Sequence, residues 1–395
     1  MSHLIFDNVD IVFGSARDDA LARLDKGETR DEILKATSSV IGVAGASLTV
    51  EEGEICVLMG LSGSGKSTLL RAANGLNPVS RGKVLLRHQD TMVDIAAIDA
   101  ATLRAVRTTS VAMVFQQFAL LPWRTVRDNV GLGLELRGTP KAERERIVDE
   151  KLKMVQLDQW ANKYGHELSG GMQQRVGLAR AFATDASLLL MDEPFSALDP
   201  LIRTKLQDEL LSLQKNLKKT ILFVSHDLDE AMKIGNRIAI MEGGRIVQWG
   251  TPEEIILHPA NAYVAEFVAH MNPLNVLKAG SIMQPLAACL RDQSHVYFDD
   301  HKQSSITIDA AGFPFAAQLN GAPHRLIPCG TDGVIPDRTT GVGIVLAPAD
   351  ISLKTAIAVR QQSGHALGIV DSEGKLIGLC TDGNIYNGLL RQKHG

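Results

Sequence analysis

The sequence predicts an α/β fold organised around a phosphate-binding loop, followed by a smaller α+β unit. Three observations predict it. Residues 60–67 read Gly60-Leu61-Ser62-Gly63-Ser64-Gly65-Lys66-Ser67, which fits G-x-x-x-x-G-K-[ST] without a gap. Residues 54–59 read as a buried strand entering that loop, and residues 67–73 as a helix leaving it. Further apolar runs of strand length end at Gln116, at Asp192-Glu193 and at His226. Ligands of open α/β sheets gather at such strand ends.

Taken in order, residues 5–13 alternate imperfectly between apolar and polar and read as a strand ending near Gly14. Residues 16–40 interrupt the sheet pattern. Residues 20–24 are helical, and Thr29-Arg30-Asp31-Glu32 has capping-box spacing, so a second short helix starts there. Residues 43–50 resume a strand, and residues 51–54 turn it into the strand before the loop. The glycines Gly60, Gly63 and Gly65 let the backbone wrap phosphate oxygens, with amides of Ser62, Ser64, Ser67 and Thr68 belonging to the same cradle. Lys66 supplies positive charge to the β/γ-phosphates, and the Ser67 hydroxyl is placed for Mg²⁺.

Beyond the loop, residues 83–86 read as a strand and a charged, alanine-rich helix is expected through about Arg107. Residues 110–115 form a buried strand by composition, followed at once by Gln116-Gln117, and a glutamine there reaches an active-site Mg²⁺ or water. Residues 118–123 are apolar and fit either core or a docking surface. Residues 141–155 have helical spacing with many charges. Leu168-Ser169-Gly170-Gly171-Met172-Gln173 opens another helix, and Ser169, Gly170 and Gly171 at its start form a second anion-receiving site. One chain rarely needs two such sites unless they meet across an interface. Asp192 at a strand tip suits Mg²⁺, and Glu193 beside it can polarise an attacking water. Asp199 follows in Ser196-Ala197-Leu198-Asp199.

Composition narrows the class. The chain has 395 residues, 45% apolar and 22% charged, as soluble globular proteins do, so a large core plus a smaller unit is expected. A formal net charge of -4 gives no electrostatic reason to expect nucleic acid. Cys56, Cys289, Cys329 and Cys380 are scattered and read as reduced thiols. Residues 1–7 lack the pattern of a signal peptide, and no apolar run approaches the ~18–20 residues of a membrane span. Work at a membrane is therefore expected to go through partner chains.

Together these motifs resemble the ATP-binding subunits of ABC transporters, whose domain is a P-loop NTPase fold, over about residues 4–270, which implies an ATP-binding domain at 1–270. The resemblance rests on residues 60–67 (Walker A), Gln116 (Q-loop), residues 168–173 (the LSGGQ-type signature, here LSGGMQ), Asp192 and Glu193 (Walker B), residues 196–199 (D-loop) and His226 (H-loop). It implies a helical subdomain at about 117–180 and a head-to-tail homodimer with each ATP sandwiched between Walker A and the other copy's signature. Lys66 and Ser67 would then serve phosphate and Mg²⁺, Gln116 would sense Mg²⁺ and water, and Asp192 would bind Mg²⁺. Glu193 would be the general base and His226 would contact the γ-phosphate. Ser169, Gly170, Gly171 and Gln173 would close over the opposite nucleotide, with Asp199 linking the sites. Of the adjacent glutamines, Gln116 is preferred over Gln117 because it directly follows the strand aromatic. Phe13 stands where such domains stack an aromatic on adenine, and core packing is an equally open reading of it.

The chain also resembles one branch, the quaternary-amine importers, through the insertion at 16–40, the loop GLSGSGKST, residues 196–203 and 225–231, and the long tail. This implies an ATPase at the cytoplasmic face of the bacterial inner membrane, working with transmembrane permease subunits and a solute-binding protein to import choline or glycine betaine. Proline or carnitine are the alternatives. A non-transport soluble ABC ATPase is disfavoured by the single Walker A and the lack of a sustained heptad. Residues 351–390 resemble a CBS module: a helix at 353–361, a strand at 366–371, a turn at 373–375 and a strand at 376–379. The C-terminal unit, 271–395, is thus expected to be a regulatory, degenerate CBS-like pair, although no Val-Asp-x-x-Gly stretch marks a first member at 275–345.

Overall fold

The computed structural model describes residues 1–269, 271–292, 294–299, 301–334 and 343–390. The chain divides into two compact units, Met1–Thr251 and Pro252–Gly395. Helices Pro252–Leu257 and Ala262–Val268, placed with the first unit by the sequence, group with the second.

The first unit opens with β1 (Ser2–Phe13), helices α1 (Arg17–Asp25) and α2 (Arg30–Thr37), and β2 (Val40–Glu51). Then come β3 (Ile55–Met59), α3 (Lys66–Ala72), β4 (Arg81–His88), β5 (Thr91–Asp94), α4 (Ala100–Thr109) and β6 (Val111–Val114). A helical stretch follows, α5 (Val126–Leu136), α6 (Lys141–Met154) and α7 (Gly170–Ala183). The unit closes with β7 (Leu188–Asp192), α8 (Pro200–Leu217), β8 (Thr220–Val224), α9 (Leu228–Ile234), β9 (Arg237–Glu242) and β10 (Arg245–Gly250).

Its strands form two sheets. One is antiparallel in the order β2-β1-β4-β5. The other runs β10-β9-β3-β8-β7-β6, parallel from β9 through β6. Strands β3, β7 and β8 are buried along their whole length, which is why they read as unbroken apolar runs rather than as alternation. Because β3, β8, β7 and β6 are parallel neighbours, their C-terminal ends share one edge. The order along it is phosphate loop, His226, Glu193, Gln116.

The expected insertion is present as α1 and α2. Its capping box closes, with the Thr29 amide donating to Glu32 Oε2 at 2.7 Å, and Ala20, Leu24 and Ile33 pack on Val12, Ile41 and Ala44. Arg81 ties it to the sheet, reaching buried Asp10 at 2.7 Å and Asp25 of α1 at 2.8 Å. One expectation fails: residues 91–94 are not helix but strand β5, and the helix starts only at Ala100. The hairpin turns through Gln89 at φ 55 with no glycine, so it lacks the usual turn signal.

In the second unit, α10 (Pro252–Leu257), α11 (Ala262–Val268) and α12 (Ala279–Ile282) precede β11 (Gln284–Pro285), β12 (His295–Tyr297), β13 (Ser305–Ile308), β14 (Pro314–Leu319) and β15 (Ala322–Pro328). Then follow β16 (Gly343–Pro348), α13 (Leu353–Ser363), β17 (Leu367–Val370), β18 (Leu376–Cys380) and α14 (Asp382–Leu390). One sheet in the order β11-β18-β17-β16-β15-β14-β13-β12 spans the unit around Val296, Ile306, Leu319, Ile344, Leu376 and Leu379. The helix, strand, turn and strand expected at 353–379 fall at α13, β17 and β18. The stretch expected to hold a first CBS-like member is instead mostly the antiparallel meander β12–β15, and residues 335–342 lie outside the described residues.

Candidate nucleotide site

The site begins with glycines that nothing else could replace. Gly65 caps α3 at φ 100, and a Cβ there would strike the Gly42 carbonyl. At Gly60, φ 142, it would strike the Met241 carbonyl. The loop is therefore a backbone cradle, closed from outside by neighbouring chain. Lys66 is buried and donates to the Gly60 and Leu61 carbonyls at 2.8 and 2.9 Å and to Ser64 Oγ at 3.4 Å. Burial pulls its ammonium below the ordinary lysine range, and the charges of Glu193 and Asp192 oppose that.

Asp192, at the tip of β7, is 0% exposed. Its Oδ1 accepts from the Ser67 hydroxyl at 2.7 Å and its Oδ2 from Arg71 Nη2 at 2.9 Å. A buried carboxylate persists only when paired in this way. Ser67 and Asp192 thus present adjacent hard oxygens, the donor type that Mg²⁺ takes.

Glu193, next in the chain, turns out of the strand at φ 49, and its Oε2 receives both Gln116 Nε2 at 3.2 Å and His226 Nδ1 at 3.1 Å. Five sequence-predicted residues from three parallel strand ends and the phosphate-loop helix, Ser67, Gln116, Asp192, Glu193 and His226, are thereby joined in one cluster. His226, expected on a phosphate, has Glu193 as its partner here.

The signature residues form a separate group. Ser169 caps α7, its hydroxyl accepting from the Met172 amide at 3.3 Å, and Gln173 donates to the Leu168 carbonyl at 3.2 Å. A Cβ on Gly171 would lie 3.1 Å from the Ala197 carbonyl, beside the turn leading to Asp199, and Asp199 caps α8 through the Ile202 amide at 3.0 Å. Gly170 lies against the Phe118 ring. Phe13 is 41% exposed, and its ring borders Gly42, as does the Thr68 side chain of α3. An aromatic so exposed is not placed there by core packing.

Two residues escaped the sequence reading. Arg71 lies four residues after Ser67, hence on the same helical face, and that spacing was the available signal. Gln174 is 1% exposed; it donates to the Glu193 carbonyl and accepts from the Ala197 amide, both at 3.0 Å. Its signal was a polar residue on the face shared with buried Leu178 and Ala181.

Compared with known families, residues 43–196 match the one described as ABC transporter. The chain is 41% identical over 396 residues to the glycine betaine/proline betaine transport system ATP-binding protein ProV of Escherichia coli (strain K12), covering 98% of this chain and 97% of that one. The chain belongs to the ABC transporter ATP-binding subunits. Within that family it is also 51% identical over 278 residues to the glycine betaine transport ATP-binding protein OpuAA of Bacillus subtilis (strain 168), covering 70% of this chain and 66% of the relative. Among solved structures, it resembles the dimeric post-hydrolysis state of the ATP-binding cassette MJ0796 bound to ADP and Pi, at TM-score 0.54 and 30% identity, covering 63% of this chain and 98% of that one. This ABC subunit is accordingly a nucleotide-binding ATPase with the P-loop NTPase fold. No helix among its described residues is long and apolar enough to cross a membrane.

Proposed function

We propose that this chain hydrolyses ATP to power import of a quaternary amine, with glycine betaine favoured over choline by the names of its relatives. The observation that carries the chemistry is the convergence of Gln116 and His226 on one oxygen of Glu193, one residue beyond the Ser67–Asp192 pair. Glu193 accepts the proton of the attacking water, and Gln116 and His226 fix the carboxylate while it does so. Lys66 and the loop amides hold the β/γ-phosphates. Ser67, Asp192 and Gln116 would hold Mg²⁺, which neutralises charge developing on the phosphates.

The chain acts as a homodimer in which Ser169, Gly170, Gly171 and Gln173 of one copy close over the nucleotide of the other and Asp199 lies at the junction. Two readings support this: a second anion-receiving helix start that is separate from the phosphate loop, and the dimeric form of the similar cassette. Phe13 stacks on adenine. Permease subunits dock near residues 118–129 at the cytoplasmic face of the inner membrane, and a solute-binding protein delivers the amine. The C-terminal unit is a CBS-like regulatory module.

Uptake of labelled glycine betaine, choline, carnitine and proline, in cells with and without this chain and at low and high osmolarity, tests the assignment. Loss of betaine uptake that normally rises with osmolarity is expected. Unchanged uptake of every solute would send the chain to the non-transport reading.

A further inference from the structure

The loop after β6 is held in an unfavourable conformation by a residue that none of the motifs includes. Phe118 and Ala119 are consecutive non-glycine residues at φ 40 and 48. Side chains with a Cβ avoid that left-handed region, and such a pair persists only where the surroundings hold it. What holds it is Arg180, on α7. Its Nη1 donates to the Ala119 carbonyl at 2.7 Å and its Nη2 to the Phe118 carbonyl at 3.1 Å. The guanidinium lines a groove of about 300 Å³ together with Met113, Phe115, Ala119 and Leu132. The same loop starts at Gln116, whose amide sits on Glu193 Oε2. Helix α7 therefore holds Glu193 twice: at its backbone carbonyl through Gln174, and at its carboxylate Oε2 by way of Arg180, the loop and Gln116.

We propose that Arg180 is a positioning residue for ATP hydrolysis, whose forked guanidinium fixes the 117–119 turn so that Gln116 is set against Glu193. The proposal rests on the reading of Glu193 as general base. The geometry calls for arginine in particular: a planar fork spans two adjacent carbonyls, and a lysine ammonium is a point donor that does not reproduce it. Phe118 also lies against Gly170 at the start of α7, the helix whose Gln174 holds the backbone carbonyl of Glu193.

The test is a double-mutant cycle in the full chain with Arg180→Lys, Gln116→Ala and the double variant. Rates are normalised to the fraction of protein that binds nucleotide, so a misfolded fraction does not enter. Arg180→Lys is expected to lower kcat roughly tenfold, the scale of a small misplacement of a catalytic group, with the KM for ATP within about twofold. Added to Gln116→Ala, it is expected to cost nothing further. Arg180→Gln, which keeps a planar donor that reaches one carbonyl, should show a loss of the same sign. Ala119→Gly, free to adopt the left-handed region, should recover most of the rate lost in Arg180→Lys. Parental kcat in Arg180→Lys, or a loss that multiplies fully with that of Gln116→Ala, would overturn the role of Arg180 while leaving Gln116 and Glu193 in theirs. Parental kcat in Gln116→Ala alone would sink the reading of Gln116, and the proposal with it.

Discussion

Asp192 and Asp292 are both hydrogen-bonded aspartates, one in each unit, and they are built in opposite ways. Asp192 is fully buried, and its partners Ser67 and Arg71 lie 125 and 121 residues away in the chain. Asp292 is exposed, and its partners among the described residues are all local: the Tyr297 hydroxyl at 2.6 Å, the His295 amide at 3.1 Å, the His295 Nδ1 at 3.2 Å and the Ser294 amide at 3.4 Å. The first arrangement exists only once the parallel sheet has formed, because α3 and the tip of β7, two segments far apart in the chain, must arrive at one edge. The second is a turn that holds itself and needs no fold around it. Convergence of distant polar groups on a buried carboxylate therefore marks the site, whereas local polar networks shape connections.

That contrast can be tested, and the largest effect belongs to the buried side. Glu193→Gln should lower ATP turnover by at least about a hundredfold while nucleotide binding survives. The same protein should form an ATP-dependent dimer in light scattering, and a monomer under those conditions would break the sandwich arrangement. Next, Lys66→Ala removes a buried charge-assisted donor set, so nucleotide affinity should fall by about 2 kcal/mol, or roughly thirtyfold in Kd by calorimetry. Tight binding in that variant would contradict the role of Lys66.

A matched pair addresses the two aspartates directly. Arg71→Ala leaves Asp192 charged and buried with Ser67 alone, and should cost about 2–3 kcal/mol in urea unfolding of the first unit. Asp292→Ala, at an exposed and locally satisfied turn, should change stability much less. Equal losses would erase the distinction. The smallest effect is a titration. The Tyr297 hydroxyl first, and then the His295 amide, hold the Asp292 carboxyl down at about 2. A depressed folded value contributes stability above the ordinary carboxylate range that is lost as pH falls through about 2. Tyr297→Phe should therefore return Asp292 toward the ordinary range in an NMR titration, and the stability that the depressed value contributes above that range should shrink with it.

The same contrast explains what the sequence made legible. Lys66, Asp192, Glu193 and His226 sit at fixed offsets from buried strands, and strand ends announce themselves as apolar runs cut off by a charge. The capping box at Thr29 was legible for the same reason, being complete within four residues. Arg71 and Gln174 were not, because an arginine or glutamine on a helix looks the same whether it meets solvent or a carboxylate from another strand. Strand β5 was hidden by a turn without glycine. The meander β12–β15 was hidden by short strands with mixed exposure, such as Ala322–Pro328, where neither face is consistently apolar.

Phe13 and Val40 face each other directly in the β1–β2 ladder, so residues 14–39 leave the sheet and return to it at a single point. A two-residue Asn-Gly turn could bridge those ends. The Arg81–Asp10 ion pair would remain in the sheet after such an excision, since only Asp25 belongs to the excised segment. The segment is therefore an addition at the tip of a hairpin, and replacing residues 14–39 in frame by such a turn would leave the register of both strands unshifted.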